Sequence, residues 1–175
     1  MKIVKTVLSI IFSISLIQAS AQTDKATTAK VIAAQSFVFN ATDAYPMESN
    51  ALNKVLNQLP NSRSSLMNLS GGQYEVRVTK DSIVAHLPYF GRTYTPSMDP
   101  NEAGTKFKSK DFKYSAVKKK KDWVITIEPE DIKERQKLIF RISESGYANL
   151  SVNNYNRQPI SFYGFISEVE TNKKD

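Results

Sequence analysis

The sequence predicts an all-β protein, an antiparallel meander of about eight strands closed into a barrel. Three observations carry that expectation. Apolar and polar residues alternate through most of the chain after residue 36. Short polar or glycine-bearing turns separate the alternating runs. Turns this short join only antiparallel partners, because parallel strands need a crossover of a dozen or more residues. Hydrophobic residues make up 41% and charged residues 23% of the chain, the balance of a globular domain with a real core. A sandwich would satisfy the same pattern, but sequential hairpins curl naturally and barrel closure leaves no exposed edge.

Residues 1–21 read as a secretory signal peptide. Lys2 and Lys5 form the positive start, an apolar stretch follows at 7–17, and Ala19-Ser20-Ala21 is a small-residue cleavage site. The apolar stretch is shorter than the roughly 20 residues a membrane-spanning helix needs. Removing 21 of the 175 residues leaves one domain, residues 22–175, and the loss of two lysines lowers the net charge from +7 to +5. No later run approaches membrane length, so the mature protein is expected to be periplasmic or secreted. It carries no cysteine, so the fold must rest on its core alone.

Along the mature chain, residues 24–35 are Ala-rich and suit a short helix or a frayed end. Phe37, Phe39 and Ala41 begin the alternation. Residues 48–59 place Leu52, Val55, Leu56 and Leu59 on one helical stripe stopped by Pro60, which predicts a short helix plugging one end of the barrel or acting as a lid. A weak strand is expected at 64–69. Tyr74, Val76 and Val78 alternate, as do Ile83, Ala85 and Leu87 beyond the turn at Lys80-Asp81. Phe112, Tyr114 and Ala116 share one face, and Trp123, Ile125 and Ile127 mirror them. Leu138, Phe140 and Ile142 lead through Ser145-Gly146 to Ala148, Leu150 and Val152. The last run, 160–166, is apolar on both faces.

The strings Leu87-Pro88-Tyr89-Phe90-Gly91-Arg92-Thr93-Tyr94, Lys106-Phe107 and Asn156-Arg157-Gln158-Pro159-Ile160-Ser161-Phe162-Tyr163-Gly164 resemble the exported bacterial (Bacteroidota) family of unknown function numbered 4251. The resemblance runs from Phe37 to Ile166. It implies a lipocalin-like β-barrel and implies nothing about activity. The stretch 48–61 is longer than the family pattern suggests, which puts the predicted helix outside the family's common features.

The candidate ligand-binding residues are Tyr89, Phe90, Arg92, Tyr94, Arg157 and His86. In the first string, amphipathic rings flank a planar five-donor guanidinium, a combination that suits a carboxylate, phosphate or sugar at a barrel rim. The same residues also suit a barrel corner, with Gly91 at a special backbone angle and Arg92 paired to Asp99 or Glu102. Arg157 and Gln158, in the last inter-strand loop, strengthen the binding reading if they reach the same end. His86 is the one imidazole and faces away from Ile83, Ala85 and Leu87. Without Cys or a second His it forms no transition-metal site, and no G-x-S-x-G elbow accompanies it.

The lysines at 118–121 read as a solvated hairpin tip that an anionic lipid or polysaccharide would also suit. Asp99-x-Asn101 opens like a calcium loop, but Lys110 stands at the twelfth position. Glu128, Glu130 and Asp131 lack a ligating spacing, and Ser70-Gly71-Gly72 lacks the Lys and helix of a phosphate loop. Asp81-Ser82-Ile83 resembles an O-glycan acceptor and equally a turn start. The expectation is therefore an exported, non-enzymatic barrel without metal or cofactor. It would bind a small amphipathic or anionic ligand, an envelope protein or a polysaccharide, and not nucleic acid. A structural envelope protein is the alternative, and a hydrolase using His86 or a carboxylate pair ranks below both.

Overall fold

The computed structural model describes residues 23–46, 67–94 and 104–169. The expected signal peptide, the expected helix at 48–59 and the suggested Arg92 partners Asp99 and Glu102 lie outside the described residues. Helix α1 (Lys25–Ala33) precedes strands β1 (Phe37–Pro46), β2 (Met67–Asn68), β3 (Glu75–Val78), β4 (Ile83–Pro88) and β5 (Gly104–Ser109). Strands β6 (Phe112–Lys119), β7 (Asp122–Pro129), β8 (Gln136–Ile142), β9 (Tyr147–Asn154) and β10 (Arg157–Ser167) follow. All pairings are antiparallel. The sheet order is β5-β4-β3-β1-β10-β9-β8-β7-β6, a nearly closed barrel of nine strands, with β2 paired to β1.

The alternation translates directly into burial. In β4, Ile83, Ala85 and Leu87 are buried while Val84 and His86 are exposed. The inward residues of the other strands meet across the lumen. Phe140 of β8 packs edge-on against Phe37 and Phe39 of β1, with ring centroids 5.7 and 5.8 Å apart, although β8 and β1 are not sheet neighbours. The interior at this level is filled by side chains, with Phe162, Ile125, Ile127, Leu138 and Leu150 fully buried beside those rings.

Three details differ from what the pattern alone suggests. The turn at Ser70-Gly71-Gly72, where Gly71 takes φ +99°, does not close a hairpin. It links β2 to β3, which follow one another along the same edge of β1. Strand β5 has no strong alternation, because its buried positions are Gly104, Thr105 and Ser109. The N-terminal segment is an ordered helix. Asp24 caps α1 by accepting from the Thr27 N–H at 2.6 Å, and Thr28, Val31 and Ile32 are buried. Ties from Thr23 Oγ1 to the Ile166 carbonyl (2.5 Å), Lys25 to Glu144 (3.1 Å) and Lys30 to Glu168 (3.4 Å) fasten it over one end of the barrel.

The edges of the sheet are β5 and β6, adjacent in sequence but not laddered to each other. The β7–β8 loop holds the β5–β6 turn at one end of that seam. Asp131 accepts from the Lys110 N–H at 2.9 Å, and the Glu130 N–H donates to the Asp111 carbonyl at 2.8 Å. The β6–β7 tip carries the lysine run, the charge that commonly guards a sheet edge. Among the described residues, no helix is long and apolar enough to cross a membrane.

Candidate functional site

Past Pro88 the chain leaves β4 and folds across the start of β10. Thr93 and Arg157 form an antiparallel bridge. The Gln158 N–H donates to the Arg92 carbonyl at 3.1 Å, and the Tyr94 N–H donates to the Asn156 carbonyl at 2.8 Å. The Tyr89 hydroxyl donates to the Arg92 carbonyl at 2.7 Å and lies 3.2 Å from the Gln158 carbonyl. Burial raises the Tyr89 phenol pKa, against the opposing pull of the Gln158 bond and the Arg157 charge. Gly91 does not adopt the left-handed angle expected of it. A Cβ there would sit 2.7 Å from the Tyr89 hydroxyl, so any other residue would have to push that side-chain tip aside.

Beneath this segment Arg157 is only 7% exposed. Its Nη1 donates to the Gly104 carbonyl at 3.0 Å, its Nε lies 3.4 Å from Glu134 Oε2, and its Cζ sits 5.3 Å from the Tyr89 ring centroid. The same Glu134 oxygen accepts from Asn154 Nδ2 at 2.8 Å. A buried charge is tolerated only when it is paired and hydrogen-bonded, and Arg157 meets both conditions. A depression of about 150 Å³ opens beside it, lined by Gly104, Thr105, Lys106, Glu134, Asn154 and Arg157 among others.

The six sequence candidates therefore divide. Tyr89, Arg157 and the backbone of Arg92 converge on one rim, and Phe90 packs half-buried against the core. Arg92 and Tyr94 share that rim but are exposed, Tyr94 by 66%. His86 stands apart, on the outer face between Glu75 of β3 and Lys106 of β5. Its Nδ1 is 3.1 Å from the Gln73 carbonyl, its ring is 5.7 Å from that of Tyr74, and it lines a separate depression with Asn40, Glu75 and Arg77.

Sequence reasoning missed Glu134, Asn154 and Tyr155. Tyr155, 82% exposed at the β9–β10 tip, lies between Asn154 and Asn156 in a polar stretch with no alternation to mark it. The acidic cluster at the end of β7 ties neighbouring elements together. Glu128 pairs with Lys137 at 2.7 Å, Glu130 pairs with Lys113, and Asp131 holds the β5–β6 turn. Lys118 lies 3.6 Å from Glu144 and 5.3 Å from the Trp123 ring centroid. Ser82 closes a turn with Thr79, their hydroxyls 3.0 Å apart.

A family model described as a domain of unknown function, DUF4251, matches residues 19–166. No curated protein matches the chain.

Proposed function

This chain belongs to the DUF4251 family, whose function is unknown, and on that footing we propose that it is an exported, non-enzymatic barrel that grips a protein partner of the cell envelope with its rim. The export rests on the lysine, apolar and A-x-A pattern of residues 1–21. The observation that carries the binding role is the exposure of Tyr94 and Tyr155 beside Arg92 on one rim. Binding hot spots are enriched in Tyr and Arg, because each offers a large contact area together with a directional polar group. Here they stand on a braced base, since Tyr89 and Arg157 fix the segment beneath them and little ordering entropy remains to be lost on binding. The packed lumen favours the rim over an interior cavity. We assign no catalytic step, since His86 lies away from the Arg157 cluster.

The test is photo-cross-linking in intact cells from position 94 or 155 of the full chain. A discrete protein adduct that disappears in a variant in which Arg92 and the tyrosine not carrying the cross-linker are both replaced by alanine, at unchanged melting temperature, supports the reading. No adduct, or one that persists in that variant, overturns it.

The depression at Arg157 favours a second reading, a small anion at the seam. Its volume matches only about five waters. Titration with acetate and phosphate tests it, and competition with Glu134 for the guanidinium predicts weak binding at best.

A further inference from the structure

The outer face of the sheet carries a different surface, away from the rim. Outward positions of a solvated strand ordinarily hold polar residues. Three outward positions on β9 and β10 hold Tyr147, Tyr163 and Phe165 instead. Tyr147 is 54% and Tyr163 45% exposed, and Tyr147 sits directly across from Phe165 in the register. A polar row runs alongside: Arg141 opposes Asn149, Asn149 opposes Tyr163, and Tyr163 opposes Asp43. Between them lies a depression of about 450 Å³, within the range of ligand sites. Its rim includes Arg141, Asp122, Asn149 and Thr42.

We propose that this depression is a binding subsite for a neutral saccharide, a stretch of pyranose rings laid along β9 and β10. A sugar ring has an apolar C–H face and a rim of hydroxyls, each of which donates and accepts. The aromatic rings match the first, being flat and apolar with little freedom to lose. The amide of Asn149, the guanidinium of Arg141 and the carboxylate of Asp122 match the second, since together they offer both donors and acceptors. Charge selects the class. Arg141 and Asp122 make no ion pair with each other or with any other described residue, and their charges cancel across the depression. An anionic ligand would face Asp122, and a wholly apolar partner would desolvate both groups without replacing their hydrogen bonds. A neutral polyol satisfies both. The proposal does not rest on the rim reading, because the two surfaces share no residue.

The full chain is titrated by calorimetry with cello-, malto- and manno-hexaose, with polygalacturonate as the acidic control. The expected result is saturable binding of at least one neutral hexaose that is insensitive to salt. That binding should weaken about tenfold or more in Tyr163→Ala and in Asn149→Ala, and stay unchanged in Arg92→Ala. Both substituted positions are outward, so melting temperature serves as the folding control. Absence of saturable neutral binding, binding of polygalacturonate alone, or full affinity retained in both variants overturns the proposal. A failure of rim cross-linking leaves these outcomes unaltered.

Discussion

Arg157 shows how far a single residue can be read from sequence. Its position in the last inter-strand loop, near a second Arg-containing string, marks it as a rim residue. Its burial is invisible there, because Glu134, Gly104 and Tyr89 come from three distant segments, none patterned to announce a partner. Arg157→Ala leaves the partly buried Glu134 without its cation and should lower unfolding free energy by about 3 kcal/mol, the low end for breaking a buried pair, measured by urea unfolding. Arg157→Lys should recover little of it, since a point charge replaces a planar fork. Tyr114 is the opposite case. Its hydroxyl is buried without a hydrogen-bond partner among the described residues, and burial pushes its pKa up to about 12. The phenol is thus favoured protonated in the fold. Its contribution to stability is complete below pH 10 and is lost as pH rises through about 12. Tyr114→Phe should stabilise the protein by about 1 kcal/mol and remove the last phenolate step in an ultraviolet pH titration. A loss of stability in that variant would reveal a partner for the hydroxyl.

At the scale of elements, the strands with large inward residues are legible and β5 is not. Gly104, Thr105 and Ser109 fill its inward positions, so the period-two signal that rests on bulky apolar residues never appears. Helix α1 is legible only as an alternative, because its stripe is short and its plugging role depends on the β8–β9 turn and the end of β10. The pairing of β10 with β1 hides a stricter requirement. The register shifts between Ala41 and Asp43, and the β1 backbone closes on Gly164 there, so that an added Cβ would lie 1.9 Å from the Asn40 carbonyl oxygen. Backbone cannot yield as a side-chain tip can. Gly164→Ala should therefore destabilise by about 3 kcal/mol or more, as a drop in denaturation midpoint at unchanged slope.

Across the whole molecule, surface carboxylates act as ties between elements. Glu128 is lowered by its bond to Lys137, Asp131 by the Ser109 hydroxyl and the Lys110 N–H, and Glu144 by Lys25. Each is favoured ionised in the fold, so its stabilisation is present above the unfolded pKa and is lost as pH falls through the lower folded value. The melting temperature should hold near neutrality and fall as pH drops below about 4, with added salt shrinking the difference. A steady melting temperature down to pH 3 would contradict this. The strand order has a consequence for folding kinetics. Since β1 lies between β3 and β10, the middle of the sheet is built from the two ends of the described chain, and its central ladder waits for the last strand to be made. Joining Val169 to Thr23 and opening the chain between Lys110 and Asp111 would turn the nine-strand path into a plain succession of neighbours, with α1 as one connector. Thr23 already bonds Ile166, so the junction spans little distance. Such a circular permutant keeps the native pairings while shortening their separation in sequence, and it should refold faster than the natural chain in stopped-flow measurements.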